Sequence, residues 1–126
     1  MKYFKTIKAL ATTSPNLFRF GSVLVRGKNI ISSSTNHDTK THPLKAIMYP
    51  NRDYKGLHAE VALLRGYRRY DVEGSDVYIL RLLRNGEVGM AKPCSKCEEY
   101  LRSMGIDRVF YTISETQTGI LKLRYY

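Results

Sequence analysis

Apolar residues recur along this chain with two different spacings, and the alternation between them outlines its elements. Residues 2–12 carry Phe4, Ile7 and Ala11 on one stripe with Leu10 beside them, which predicts an amphipathic helix stopped by Ser14-Pro15-Asn16. Residues 18–25 and 30–33 are β-rich runs joined by Arg26-Gly27-Lys28-Asn29, a hairpin signal. Residues 58–69 start after Gly56 and predict a helix, with Ala, Val and Leu filling its first turns. Gly74-Ser75 leads into residues 76–83, where the run VYILRLL predicts a central strand. Asn85-Gly86 marks a tight turn. Pro93 suits an early helical position, and Cys94, Cys97, Leu101 and Met104 fall at i, i+3, i+7 and i+10, one face of a helix that Gly105 closes. Residues 109–114 and 120–125 predict two last strands around a polar turn at 115–119. That turn is too short for a crossover helix, so these two strands should pair antiparallel.

The order is helix, strand, strand, helix, strand, helix, strand, strand. Such alternation implies an α/β sheet layered with helices. One segment breaks the pattern. Residues 32–56 are rich in Ser, Thr, Asn, Asp and Pro and read as a long loop, of the kind that often carries function.

Composition narrows the class. The chain has 126 residues, the size of one domain (1–126), and 43% of them are hydrophobic. No apolar run approaches the roughly 20 residues of a membrane helix, so no membrane partner is expected. The first residues, broken by Lys5 and Lys8, lack the apolar block of a signal peptide, which makes the cytoplasm the expected compartment. In reducing surroundings two cysteines at CxxC spacing are metal ligands or redox thiols sooner than a disulfide. The formal charge of +10 favours anionic partners, but no block of five like charges marks a basic arm. A solvated basic surface and phosphate binding explain it equally well.

The candidate chemistry lies in two short motifs, His58-Ala59-Glu60 and Pro93-Cys94-Ser95-Lys96-Cys97. A catalytic zinc ion takes three protein ligands and keeps a position for water. One imidazole and two thiolates meet that count, and thiolates gain from a helix N-terminus. Glu60 stands too near His58 to ligate beside it and is suited to face the water instead. Zinc brings hydroxide within reach near neutral pH, and a carboxylate there can relay the protons. The reaction served is hydrolytic deamination: hydroxide attacks an amine-bearing ring carbon and ammonia leaves.

The two motifs together resemble the H-x-E…P-C-x-x-C signature of the cytidine deaminase-like superfamily. The resemblance covers most of the chain. RFGSVLVRGKNIISSSTN looks like that family's first hairpin, which ends in a substrate-contacting asparagine, here Asn36, and GIDRVFYTIS looks like the strand after its cysteine helix. The resemblance implies that His58, Cys94 and Cys97 bind Zn2+, that Glu60 shuttles protons, and that the Ala59 amide touches the base. It also implies a three-layer α/β/α sandwich with a five-stranded mixed sheet in the order 2-1-3-4-5. Within the superfamily, the missing crossover helix resembles the free cytidine deaminases and several toxin deaminases. His58 as first ligand instead resembles the tRNA, APOBEC and deoxycytidylate branches. The span from Asn36 to His58 is longer than in the tRNA adenosine deaminases, and residues 84–92 add a turn before Pro93.

The expected function is therefore a zinc-dependent deaminase of a cytosine-type base in a free nucleoside or nucleotide. Two other readings stay open. One is a deaminase of cytosine or adenine in single-stranded DNA or RNA. The other is a silent, zinc-stabilised nucleic-acid-binding module, against which Glu60 argues. Simpler roles also stand beside the chemical ones. CxxC alone fits a redox motif, and His37 or His42 could complete a structural zinc site. Asn36 fits a turn. Tyr111 could stack on a base, but an aromatic in a strand is more often core. Arg81, inside an apolar strand, needs a carboxylate partner or a substrate phosphate. Tyr67, Tyr70, Tyr125 and Tyr126 suggest a surface for a homo-oligomer.

Overall fold

The central strand forms where the longest apolar run predicts it. In the computed structural model, which describes residues 2–12, 19–35, 63, 64 and 66–123, nine elements follow one another. They are α1 (Lys2–Ala11), β1 (Arg19–Arg26), β2 (Asn29–Thr35), α2 (Arg69–Val72), β3 (Asp76–Leu82), β4 (Val88–Gly89), α3 (Ser95–Ser103), β5 (Arg108–Thr112) and β6 (Thr118–Lys122). The strands build one mixed sheet in the order β2-β1-β3-β5-β6, with β4 attached to the end of β3. Counting the five longer strands, this is the expected 2-1-3-4-5. Only β3 and β5 run parallel, joined through α3, and β5–β6 is antiparallel as the short turn requires.

Alternation along each strand sorts the core into two layers. Val77 and Ile79 of β3, Leu24 of β1 and Val109 of β5 point to one face, where they meet Leu63, Leu64, Val72, Leu101 and Ile106. Tyr78, Leu80 and Leu82 point to the other with Val23, Val25 and Phe110, and α1 covers them with Ile7 and Ala11. Helix α1 lies so close to β1 that a Cβ at Gly21 would come within 2.9 Å of both the Ile7 side chain and its carbonyl oxygen. Both faces are thus covered, which gives the three layers.

The structure departs from the sequence expectations in four places. The strand expected at 30–33 runs on to Thr35, so the start of the 32–56 loop is sheet. It is an edge strand, where serine and threonine are tolerated, and its register slips between Leu24 and Val25, leaving Ile31 as an extra residue. The helix expected at 58–69 does not continue to 69. Gly66 takes a φ of 86°, Arg68 is extended, and α2 starts afresh with Asp71 Oδ2 accepting from the Arg68 amide at 2.9 Å. Pro93 precedes the N-cap Cys94 instead of lying inside the first turn. The turn at Asn85-Gly86 is real, but it returns the chain into a two-residue strand, β4, that makes the sheet six-stranded. Residues 13–18, 36–62 and 124–126, which include Ser14-Pro15-Asn16 and the beginning of the 58–69 helix, lie outside the described residues.

Candidate active site

The cysteine motif caps α3 at the end of the sheet where β3 and β5 finish. Cys94 is the N-cap, extended at φ −67° and ψ 164°, and its carbonyl accepts the first helical bond from the Glu98 amide at 2.9 Å. Cys97 follows one turn later. Cys94 is exposed, Cys97 is buried, and no disulfide joins them. The first cysteine thus stands at the surface, and the second is fully buried on the same helix face as Leu101. The positive end of α3 favours negative charge on both.

A short strap carries the chain to this cap, and side chains hold it there. The hairpin tip is closed by the Leu83 amide on Glu87 O at 2.7 Å and the Gly86 amide on Leu83 O at 3.0 Å, and Asn85 Oδ1 accepts from the Glu87 amide at 2.9 Å. The Leu83 side chain lies over Gly89 and leaves no room for a Cβ there. Beyond Ile79↔Tyr111, β3 exchanges its partner β5 for β4, pairing Arg81 with Gly89 and Leu82 with Val88. Thr112 fills that seam. Its buried hydroxyl donates to Gly89 O at 2.8 Å and accepts from the Arg81 amide at 3.4 Å, and its carbonyl accepts from the Ala91 amide at 2.8 Å. Glu115, in the β5–β6 turn, accepts from the Val88 amide at 2.7 Å.

Tyr111 points to the α3 face, half-buried, and packs on the core there. Its ring rests on Gly119 of β6, where any added Cβ would overlap it. Arg81 lies on the same face, with its guanidinium 5.7 Å from the centre of the Phe20 ring. Burial pushes the Tyr100 phenol of α3 above its ordinary pKa.

Of the remaining predicted site residues, Asn36, His58, Ala59 and Glu60 lie outside the described residues, as do His37 and His42. Among the described residues no three His, Cys, Asp or Glu side chains group as metal ligands. The chain that leaves the HAE motif is described again at Leu63, three residues after Glu60. Leu63 and Leu64 are buried in the same cluster as Leu101 of the cysteine helix, and Leu63 O accepts from Ser32 Oγ at 2.8 Å. Thr112 and Glu115 were not singled out by sequence reasoning. Their contacts are with backbone atoms far along the chain, which no local pattern records.

The opposite end of the sheet holds a polar hollow of about 710 Å³, lined by Arg26, Arg69 and Arg102 but also by Glu73 and Asp107. Helix α3 ends here, at Met104 and Gly105, and the negative end of its dipole lowers the appeal of the hollow to an anion.

A mixed sheet covered on both faces, with a CxxC pair capping the crossover helix at its open end, defines the class of deaminase-like α/β proteins. The family profile of the cytidine and deoxycytidylate deaminase zinc-binding region matches residues 1–113, and the chain belongs to that family. No curated protein matches the chain by sequence. Among solved structures, the cytidine deaminase of Burkholderia pseudomallei is similar with a TM-score of 0.64 at 17% identity, over 94% of this chain and 88% of that one. The dCMP deaminase of the cyanophage S-TIM5, solved with dCMP and dUMP, is similar with a TM-score of 0.58 at 17% identity, over 87% of this chain and 77% of that one. The cytidine deaminase of Mycobacterium leprae gives a TM-score of 0.56 at 19% identity, over 94% and 88% of the two chains. At these identities the likeness is one of fold.

Proposed function

We propose that this chain is a zinc-dependent hydrolytic deaminase of a cytosine-type base in a free nucleoside or nucleotide. The observation that carries the reading is the shared core: the residues just after Glu60 and the helix just after Cys97 pack into one cluster. Family membership and the fold support it further. The donor set fits the metal. Two thiols one helical turn apart, at a positive helix end, are soft ligands that suit zinc, and His58 would supply the third position. When bound, zinc supplies the Lewis acidity that brings the pKa of a water near neutral. Glu60 would take one proton of the attacking water and hand it to the ring nitrogen, then carry the second proton from the hydroxyl added at the ring carbon to the departing amine. Water and the amino base thus become the keto base and ammonia. Asn36 and the Ala59 amide would orient the nucleoside, while Tyr111 shapes the wall on the α3 face.

The formal charge of +10 favours a second reading, in which the base lies in single-stranded DNA or RNA. The test is bound zinc, then ammonia release on cytidine, deoxycytidine, their monophosphates, adenosine and single-stranded oligonucleotides. Glu60→Ala should retain zinc and lose turnover by about 10²- to 10⁴-fold, the scale of general acid–base catalysis. Turnover in Glu60→Ala equal to the parent would sink the mechanism. Bound zinc with no deamination of any of these bases would favour a silent zinc-stabilised module. Oligonucleotide turnover that falls steeply with salt, with none on nucleosides, would favour the second reading.

A further inference from the structure

We propose that Thr112, assisted by Glu115, is a positioning residue for the cysteine pair, an inference that rests on the zinc reading above. The segment that delivers Cys94 is short and has few bonds of its own. β4 has two residues, and from Met90 onward the chain is irregular until Ser95. Its course is set from the β5–β6 side. Glu115 holds the Val88 amide, the Thr112 hydroxyl holds Gly89 O, and the Thr112 carbonyl holds the Ala91 amide, three residues before Cys94. The hydroxyl also takes the Arg81 amide, which belongs to β3 at the point where that strand changes partner. One buried side chain therefore couples the end of β3, the strap and the end of β5. Cys97 is fixed by its own burial, whereas Cys94 stands at the surface where the strap meets α3, its backbone set by the strap on one side and by its bond from the Glu98 amide on the other. Removing the hydroxyl leaves Gly89 O and the Arg81 amide without this partner and lets the Cys94 sulfur drift relative to Cys97.

The test uses the full chain and two readouts besides activity. One is zinc affinity by chelator competition. The other is binding of phenylarsine oxide, which requires two neighbouring thiols and no metal. Thr112→Val keeps the shape and removes the hydroxyl. It should weaken zinc by about 10- to 100-fold, the range for residues that orient metal ligands, and weaken the arsenical as well. Thr112→Ser should restore both. Val23→Ala, a cavity on the opposite face of the sheet, should lower the melting temperature of the metal-free chain and leave both affinities near the parent values. If Thr112→Val does not fold, Glu115→Ala on the exposed turn takes its place, with a smaller loss of both affinities expected. The inference is overturned if Thr112→Val, or Glu115→Ala in its place, binds zinc and arsenical like the parent. It is equally overturned if Val23→Ala loses as much as Thr112→Val. A parent chain that binds no zinc, while the arsenical still separates Thr112→Val from Thr112→Ser, would remove the zinc reading and uphold the positioning.

Discussion

The two ends of the sheet are closed by different means. At the arginine end, main chain bonds directly across the seam, the Gly74 amide to Gly105 O at 2.8 Å, the Asp107 amide to Ser75 O and the Leu123 amide to Asp107 O at 2.9 Å, and the Arg26 and Arg102 side chains only add to it, on Asp71 O and Leu123 O. At the cysteine end, β3 and β5 part company, and side chains of Asn85, Thr112 and Glu115 add to the main-chain bonds of Leu83, Gly86 and Ala91. A backbone seam depends little on which residues form it. A side-chain seam depends on each of them, and it can hold an exposed thiol where a regular ladder would have no place for one. On the proposed function, the chemistry would fall at the end where side chains take the larger share.

Three changes would break or sharpen that contrast. The largest effect is expected at the cysteine end. Cys94→Ala should cost zinc affinity by more than about 100-fold, exceeding the loss from an orienting residue. Because Cys94 is exposed, the metal-free chain should change in stability by no more than about 0.5 kcal/mol in urea titration. A collapse of the metal-free fold would show that the thiol is structural. Gly105→Ala should act the opposite way. Gly105 has a φ of 76°, and a Cβ there would lie 2.7 Å from the Glu73 Cβ. A loss of about 1–3 kcal/mol is expected from that strained conformation, with zinc affinity preserved. If zinc affinity falls in step, the two ends are not separable. The smallest effect is with pH. Burial and the nearby Asp76 carboxylate push the Tyr78 phenol above its ordinary value of 10.0. The folded state then holds its proton longer than the unfolded chain. This contribution is complete below pH 10.0 and is lost as pH rises through the folded value. Tyr78→Phe should flatten that part of the alkaline stability curve, and an unchanged curve would exclude the effect.

The sequence was most legible where one pattern carried one meaning. The VYILRLL run became β3, and the face of Cys97 and Leu101 became the buried face of α3. Patterning failed where other forces decide. β2 extends through polar residues because an edge strand needs little apolar cover, and β4 is too short to show a period. The helix expected over 58–69 does not run past Gly66, and a glycine inside an apolar helical pattern gives no clear sign whether it is tolerated or ends the helix. At the candidate site the motifs name the chemistry, but the residues that hold the strap are silent in sequence. Thr112 reads as an ordinary strand threonine and Glu115 as an ordinary turn glutamate.

The β5–β6 hairpin ties these threads to a count of residues. Gly119 must face Tyr111, and Glu115 must reach Val88, from one loop. Inserting or deleting a single residue there would slide β6 by one step and turn its side chains over. Thr118 or Ile120 would then meet the Tyr111 ring, and the carboxylate would miss its amide. The length of this loop is thus set by packing at Gly119 and by the reach of Glu115 together. A library that varies length should leave it alone.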